Sequence, residues 1–217
     1  MKKRFGQTVP AKRRKSIQPK RPIALPARVP GNSVFLVGFM GAGKSSIGRA
    51  LGQRLNWIFE DLDDRIETCE GRTVAEIFRS SGEPGFRQAE HAALQQALRE
   101  LDGGGARIVA LGGGAFAQKE NAALLKASGV PTVFLVAPVE ELWRRCCTQA
   151  SELAVERPLL RSLEQFQELY ETRRKDYMKA SVKVQTGNRS VDAIVDEIAE
   201  TLGLKAIALR TEEGEVE

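Results

Sequence analysis

A chain of 217 residues, 42% hydrophobic and 28% charged, is long enough to bury one core without covalent staples and has the composition of an ordinary globular domain. No apolar run approaches the ~20 residues of a membrane-spanning helix. The three cysteines are odd in number, two are adjacent (Cys146, Cys147) and Cys69 stands apart, which excludes a disulfide framework and metal-ligand spacing and predicts reduced thiols in a cytoplasmic protein. The net charge of +5 is concentrated at one end: residues 1–30 hold ten Lys/Arg, five prolines and no acid, so the rest of the chain carries −5. That segment reads as a disordered basic tail, able to touch nucleic acid weakly but offering no specific nucleic-acid module.

Beyond the tail, Val34–Val37 reads as a short buried strand, and Ile47, Ala50, Leu51 and Leu55 recur at helical spacing after it. Between them lies Gly38-Phe39-Met40-Gly41-Ala42-Gly43-Lys44-Ser45, which fits G-x-x-x-x-G-K-[ST]. Trp57–Glu60 is a second strand, running into the acidic cluster Asp61, Asp63 and Asp64. Thr73-Val74-Ala75-Glu76 has the form of a capping box, with a helix that Ser81-Gly82 is expected to break, and an amphipathic stretch runs from near Pro84 to Leu101. Ile108–Leu111 is a third strand and enters Gly112-Gly113-Gly114, a run expected where backbone approaches something closely. A helix from about Lys119 to Lys126, a strand over Thr132–Val136 and a helix over Val139–Cys146 follow; Ser151–Arg157, without a period, is expected to be a mobile loop. A second capping box, Ser162–Gln165, opens a helix lasting to about Ala180; Val182–Val184 is the fifth strand, and a last helix carries Val191, Ile194, Val195, Ile198 and Leu202 on one face. The prediction is a basic tail (1–30), one α/β domain (31–205) and an acidic end (206–217). Five apolar strands alternating with helices predict a parallel sheet covered on both faces, with ligands at the carboxyl ends of its strands.

The motifs at those strand ends suit phosphoryl transfer. Backbone N–H groups of the glycine loop and the following helix can cradle phosphates, which makes Gly41, Ala42, Gly43, Lys44, Ser45 and Ser46 the ATP-binding candidates. Lys44 can reach the β/γ-phosphates; Ser45 and Asp61 can hold Mg²⁺ directly or through water, and Asp63 can accept a proton from a substrate hydroxyl. Arg87 and Glu90 are neighbours on a helix, so Glu90 can hold the Arg87 fork against an anionic substrate. Arg157, closing the loop after Cys146, suits a lid that swings a cation over the phosphates. His91 is read as structural and Met40 as a plain loop residue.

The chain resembles the shikimate kinase family in six motifs taken in order: the glycine loop at Gly38–Ser45, D-x-D at Asp61–Asp63, F-R-x-x-E at Phe86–Glu90, G-G-G at Gly112–Gly114, R-P-L-L at Arg157–Leu160 and R-x-x-x-Y at Arg173–Tyr177. The resemblance covers about residues 33–203. It implies a P-loop, nucleoside-monophosphate-kinase-like three-layer sandwich with strand order 2-3-1-4-5 and a lid loop. The implied reaction moves the γ-phosphoryl of ATP, with Mg²⁺, to the 3-hydroxyl of shikimate. By this resemblance Lys44, Asp63 and Arg157 are catalytic. Asp63, Arg87, Arg173 and the Gly112–Gly114 backbone bind shikimate, and Arg145 and Arg189 lie near the adenine together with Arg157 on the phosphates. The protein is expected to be a monomer. Two departures stand out: the basic tail lies outside the family pattern, and the stretch from Arg145 to Arg157 is several residues longer than usual. A P-loop kinase for another small polyol or acid, such as gluconate, would share Lys44 and Asp61 without requiring both Arg87 and Arg173. A ligand-sensing module of the same fold would be expected to lack part of the catalytic set.

Overall fold

The structure, a computed structural model, describes residues 33–102, 105–153 and 162–207. The basic tail expected over 1–30, the R-P-L-L stretch with Arg157, and most of the acidic end lie outside the described residues.

Among the described residues, β1 (Ser33–Val37), β2 (Ile58–Asp61), β3 (Arg107–Ala110), β4 (Thr132–Val136) and β5 (Val182–Gln185) form one parallel sheet in the order β2-β3-β1-β4-β5. This is the expected order. The central strands are apolar throughout because both faces are covered: every residue of β1 is buried, as are Thr132–Leu135 of β4. The helices are α1 (Lys44–Leu55), α2 (Leu62–Glu70), α3 (Val74–Asp102), α4 (Lys119–Ser128), α5 (Val139–Leu153), α6 (Leu163–Tyr177) and α7 (Val191–Leu202). Ile194, Val195, Ile198 and Leu202 of α7 are buried, and this helix lies against α1. No helix among the described residues is long and apolar enough to cross a membrane.

The capping box at Thr73 closes, and Ser162 caps α6. The Thr73 hydroxyl accepts from Glu76 N at 3.2 Å while the Glu76 carboxylate accepts from Thr73 N at 2.8 Å, and Ser162 accepts from Gln165 N at 3.3 Å.

Three elements differ from the sequence expectation. The acidic cluster opens a helix of its own, α2: Asp61 is its N-cap, accepting from Asp63 N at 3.1 Å, and Asp63 and Asp64 fill the first turn, where the helix dipole favours acids. By contrast, Gly82 breaks the helical run inside α3 as the sequence leads one to expect: its φ of 64° and ψ of −176° are non-helical, and the second half of α3, which includes Pro84, follows. Phe78 and Phe86 stack across this elbow with centroids 4.6 Å apart. Finally, α5 continues to Leu153 rather than stopping at Cys146; Thr148 and Gln149 are exposed, so no apolar period marks its last turns. Similarly, α6 stops at Tyr177, short of Ala180.

An ion-pair network fixes the start of α2 on the sheet edge. Arg65 donates to Glu60 of β2 and to both carboxylate oxygens of Glu100 in α3, at 2.9 and 2.7 Å, and Arg107 of β3 joins the same two acids. Asp61 and Asp63 are thereby held at the carboxyl end of β2.

Candidate active site

The loop after β1 turns through left-handed backbone at Gly43 (φ 90°, ψ 18°), the N-cap of α1, a conformation that a side chain would strain. It delivers Lys44 and Ser45 at the start of a helix whose first turn holds no acid, so the positive end of its dipole is left for an anion. Lys44 Nζ donates to the carbonyls of Gly38 and Phe39 at 3.0 and 3.2 Å. Burial holds its pKa below the usual lysine range, with the carboxylates of Asp63 and Asp61 pulling the other way. Ser45 Oγ donates to Asp61 Oδ2 at 2.8 Å.

Asp63, two residues on, is half-buried, with its Oδ1 out of reach of solvent. Its pKa is pushed up to about 6, first by desolvation and then by Asp61, against the pull of Lys44. Its Oδ1 has no hydrogen-bond partner, and neither has Glu90 Oε1. Both oxygens face Gly112: a Cβ there would lie 2.7 Å from Asp63 Oδ1 and 3.2 Å from Glu90 Oε1.

Arg87 lies on α3 beyond the elbow. Its Nη1 donates to the wholly buried Glu90 at 2.9 Å, and its Nη2 and Nε donate to one oxygen of Glu83 at 3.0 and 3.3 Å. Desolvation raises the Glu90 pKa and the guanidinium opposes the rise. Arg173 comes from α6. Its Nη1 donates to Gly113 O at 3.2 Å and its guanidinium lies 5.8 Å from the ring centroid of Phe39, a buried residue of the glycine loop. Phe39 packs edge-on against Phe166 and Tyr170 of the same helix, so α6 is fixed relative to the phosphate loop. The fully buried Tyr177 hydroxyl donates to the same Gly113 carbonyl. The expected close approach at the three glycines is thus accounted for: Gly112 abuts Asp63, a Cβ on Gly114 would lie 2.7 Å from Arg87 Nη2, and Gly113 is held by Arg173 and Tyr177.

These groups line one cleft of about 380 Å³, which includes Lys44, Ser45, Asp61, Asp63, Arg87, Glu90, Gly112–Gly114 and Arg173. Arg145 and Arg189 lie outside its lining. Arg145 pairs with Glu141 of its own helix, ties α5 to the end of β5 through Thr186 O at 2.9 Å, and reaches Gly41 O at 3.4 Å. Arg189 is engaged by Glu197 and by the carbonyls of Gln185 and Ala193, each at 3.0 Å. Met40, read as a plain loop residue, lines the cleft, as do Val74 and Phe78 from the first half of α3. An apolar side chain left 40% exposed at Phe78 is their visible trace, and it appears only in three dimensions. Glu83 and Tyr177 also escaped notice as site residues; for Tyr177 the signal was present, four residues after Arg173 on one helix face. His91 is structural, bonded to Asn121 at 2.7 Å and Gln95 at 3.0 Å.

The protein-family model described as shikimate kinase matches residues 40–203. A shikimate kinase of Cereibacter sphaeroides is 37% identical over 184 residues, covering 83% of this chain and 87% of that protein. One of Thermus thermophilus is 40% identical over 176 residues, covering 80% and 91%. Among solved structures, the shikimate kinase of Acinetobacter baumannii in complex with shikimate aligns with a TM-score of 0.71 at 30% identity, over 80% of this chain and 94% of that one. The enzyme of Aquifex aeolicus aligns with a TM-score of 0.67 at 34% identity, over 79% and 96%. A gluconokinase of Sinorhizobium meliloti, covering 81% of this chain and 93% of its own, reaches a TM-score of 0.50 at 21% identity and shares the fold alone.

Proposed function

The chain belongs to the shikimate kinase family, and from that premise we propose how its own residues carry the reaction. The enzyme transfers the γ-phosphoryl of ATP to the 3-hydroxyl of shikimate, giving shikimate 3-phosphate and ADP on the route to the aromatic amino acids. The observation that carries the assignment of roles is the common cleft. Phosphate-binding backbone, a buried ammonium, an unpartnered carboxylate and two guanidinium groups all face it, although they come from separate parts of the chain.

The Gly41–Ser46 backbone and the N-terminus of α1 cradle the phosphates of ATP. Lys44 puts its charge on the moving phosphoryl group from a site that water cannot fill, where a fixed cation is worth most. The donor set fits Mg²⁺: two oxygen groups, Ser45 and Asp61, stand together at 2.8 Å. This matches an ion held by one or two protein oxygens plus phosphates and water. Ser45 and Asp61 would hold a Mg²⁺ ion arriving with ATP, and the ion would supply positive charge to offset that developing on the phosphates. Asp63 orients the shikimate hydroxyl and accepts its proton; a carboxyl with a pKa of about 6 is ionised at neutral pH yet basic enough for the task. Arg87, steadied by Glu90, and Arg173, steadied by Gly113 O, grip the shikimate carboxylate at the far end of the ring. Arg145 and Arg189 flank the adenine side at the end of β5. The thiols of Cys69, Cys146 and Cys147, none in a disulfide, support a cytoplasmic setting.

The test is ADP release by the full chain with shikimate, gluconate and CMP offered in turn. Shikimate is expected to drive turnover and the other two to leave only background; comparable rates with gluconate would overturn the assignment of Arg87 and Arg173 to a carboxylate ring acid.

A further inference from the structure

Arg87 is heavily engaged. One guanidinium carries two carboxylates, Glu90 on Nη1 and Glu83 on both Nη2 and Nε. The Nη2–Nε edge is one of the fork edges on which an incoming carboxylate can dock with two parallel hydrogen bonds. With both acids in place the charge of Arg87 is more than offset, and a carboxylate substrate meets less attraction than a bare guanidinium would offer. For the Nη2–Nε edge to read an anion, the acid on it must leave.

The two acids are not equivalent. Glu90 is fully buried, and its departure would strand a carboxylate away from water. Glu83 is 64% exposed in its pair with Arg87 and can return to solvent. It follows Gly82, where the helix breaks, and precedes Pro84, so it stands in the opening turn of the second half of α3. A released carboxylate there still faces the positive end of a helix, which lowers the cost of letting go.

We propose that Glu83 is a resident stand-in for the substrate carboxylate: it occupies the Arg87 fork in the free enzyme and yields it when shikimate binds, so that every binding event includes an exchange of one carboxylate for another. The proposal rests on the reading that Arg87 grips the shikimate carboxylate. Glu83 thereby sets the affinity for the acid from outside the site and keeps the guanidinium aimed and paired between turnovers.

The direction of the effect separates this role from that of a support. Removing a support for Arg87 weakens substrate binding; removing a competitor strengthens it. Glu83→Gln in the full-length enzyme is therefore expected to tighten the Kd for shikimate, measured by calorimetry, about two- to fivefold, the range spanned by exposed ion pairs. The KM for ATP should stay where it is. The shikimate methyl ester, which has no charge to exchange, should bind parent and variant alike. Glu83→Asp, one methylene too short to hold the fork, should behave like Glu83→Gln. An unchanged or weaker Kd for shikimate in a folded Glu83→Gln protein, or an equal gain for the ester, overturns the proposal. Arg87→Lys measured in parallel keeps the two ideas apart. If that substitution leaves shikimate affinity untouched, the carboxylate reading of Arg87 fails; if it weakens affinity while Glu83→Gln does nothing, only the stand-in fails.

Discussion

Asp63 and Glu90 approach each other across Gly112, each with one buried carboxylate oxygen that no protein group satisfies. Two such oxygens facing the space where a side chain is missing mean that the glycine is required by contact rather than by backbone conformation. Gly112→Ala would put a methyl 2.7 Å from Asp63 Oδ1, and because the intruding atom is attached to the backbone, the carboxylate must move. A displacement of about 1 Å in a catalytic group costs on the order of a hundredfold in rate. The variant should lose that much kcat while its thermal unfolding stays close to the parent; full activity would show that Asp63 does not need its present position.

The raised pKa of Asp63 has consequences for rate and for stability. As acceptor of the hydroxyl proton it must be ionised, so kcat/KM for shikimate should fall about tenfold per pH unit below about pH 6. The folded protein holds this proton more tightly than the unfolded chain, whose aspartate titrates near 3.8. Stability from this site is therefore greatest at low pH, is lost as pH rises from about 4 to about 6, and stays lost above, a difference of at most about 3 kcal/mol. Asp63→Asn should abolish turnover and yet raise the Tm at about pH 7.5, with the gain shrinking toward about pH 4. A Tm that is lower at neutral pH would contradict the burial argument.

Lys44→Ala removes a cation that burial already disfavours and that two backbone carbonyls hold. Turnover should drop by on the order of a thousandfold or more, because solvent cannot supply the missing charge. Circular dichroism and Tm should match or exceed the parent. Near-parental activity in a folded variant would remove Lys44 from the chemistry.

Arg87→Lys and Arg173→Lys replace planar forks with point charges. Each should lower kcat/KM for shikimate by about ten- to a hundredfold, since a carboxylate gripped at one point leaves the distant hydroxyl misaimed. The KM for ATP should hold, as neither arginine belongs to the phosphate loop. The methyl ester should be a poor substrate for the parent, and the variants should discriminate less against it; equal use of acid and ester by the parent would deny that these arginines read the carboxylate.

The sequence alone determined the five parallel strands, the phosphate loop, the caps at Thr73 and Ser162, and the family, whose resemblance in turn implied the strand order. Those signals are local: apolar period, capping geometry and the demand for glycine at left-handed backbone act within a few residues, and the order of six motifs adds their specificity together. Tertiary structure alone decided what those residues meet. Arg87 and Arg173 stand 86 positions apart and converge because Phe39 locks α6 to the glycine loop, which no local period encodes. The two halves of α3 on either side of Gly82 are held together by the stacking of Phe78 on Phe86, an angle that the break by itself does not encode. The proton affinity of Asp63 follows from how much water its neighbours exclude and where Asp61 and Lys44 stand. Desolvation and Coulomb energy depend on distances in space, and the linear order of residues does not contain them.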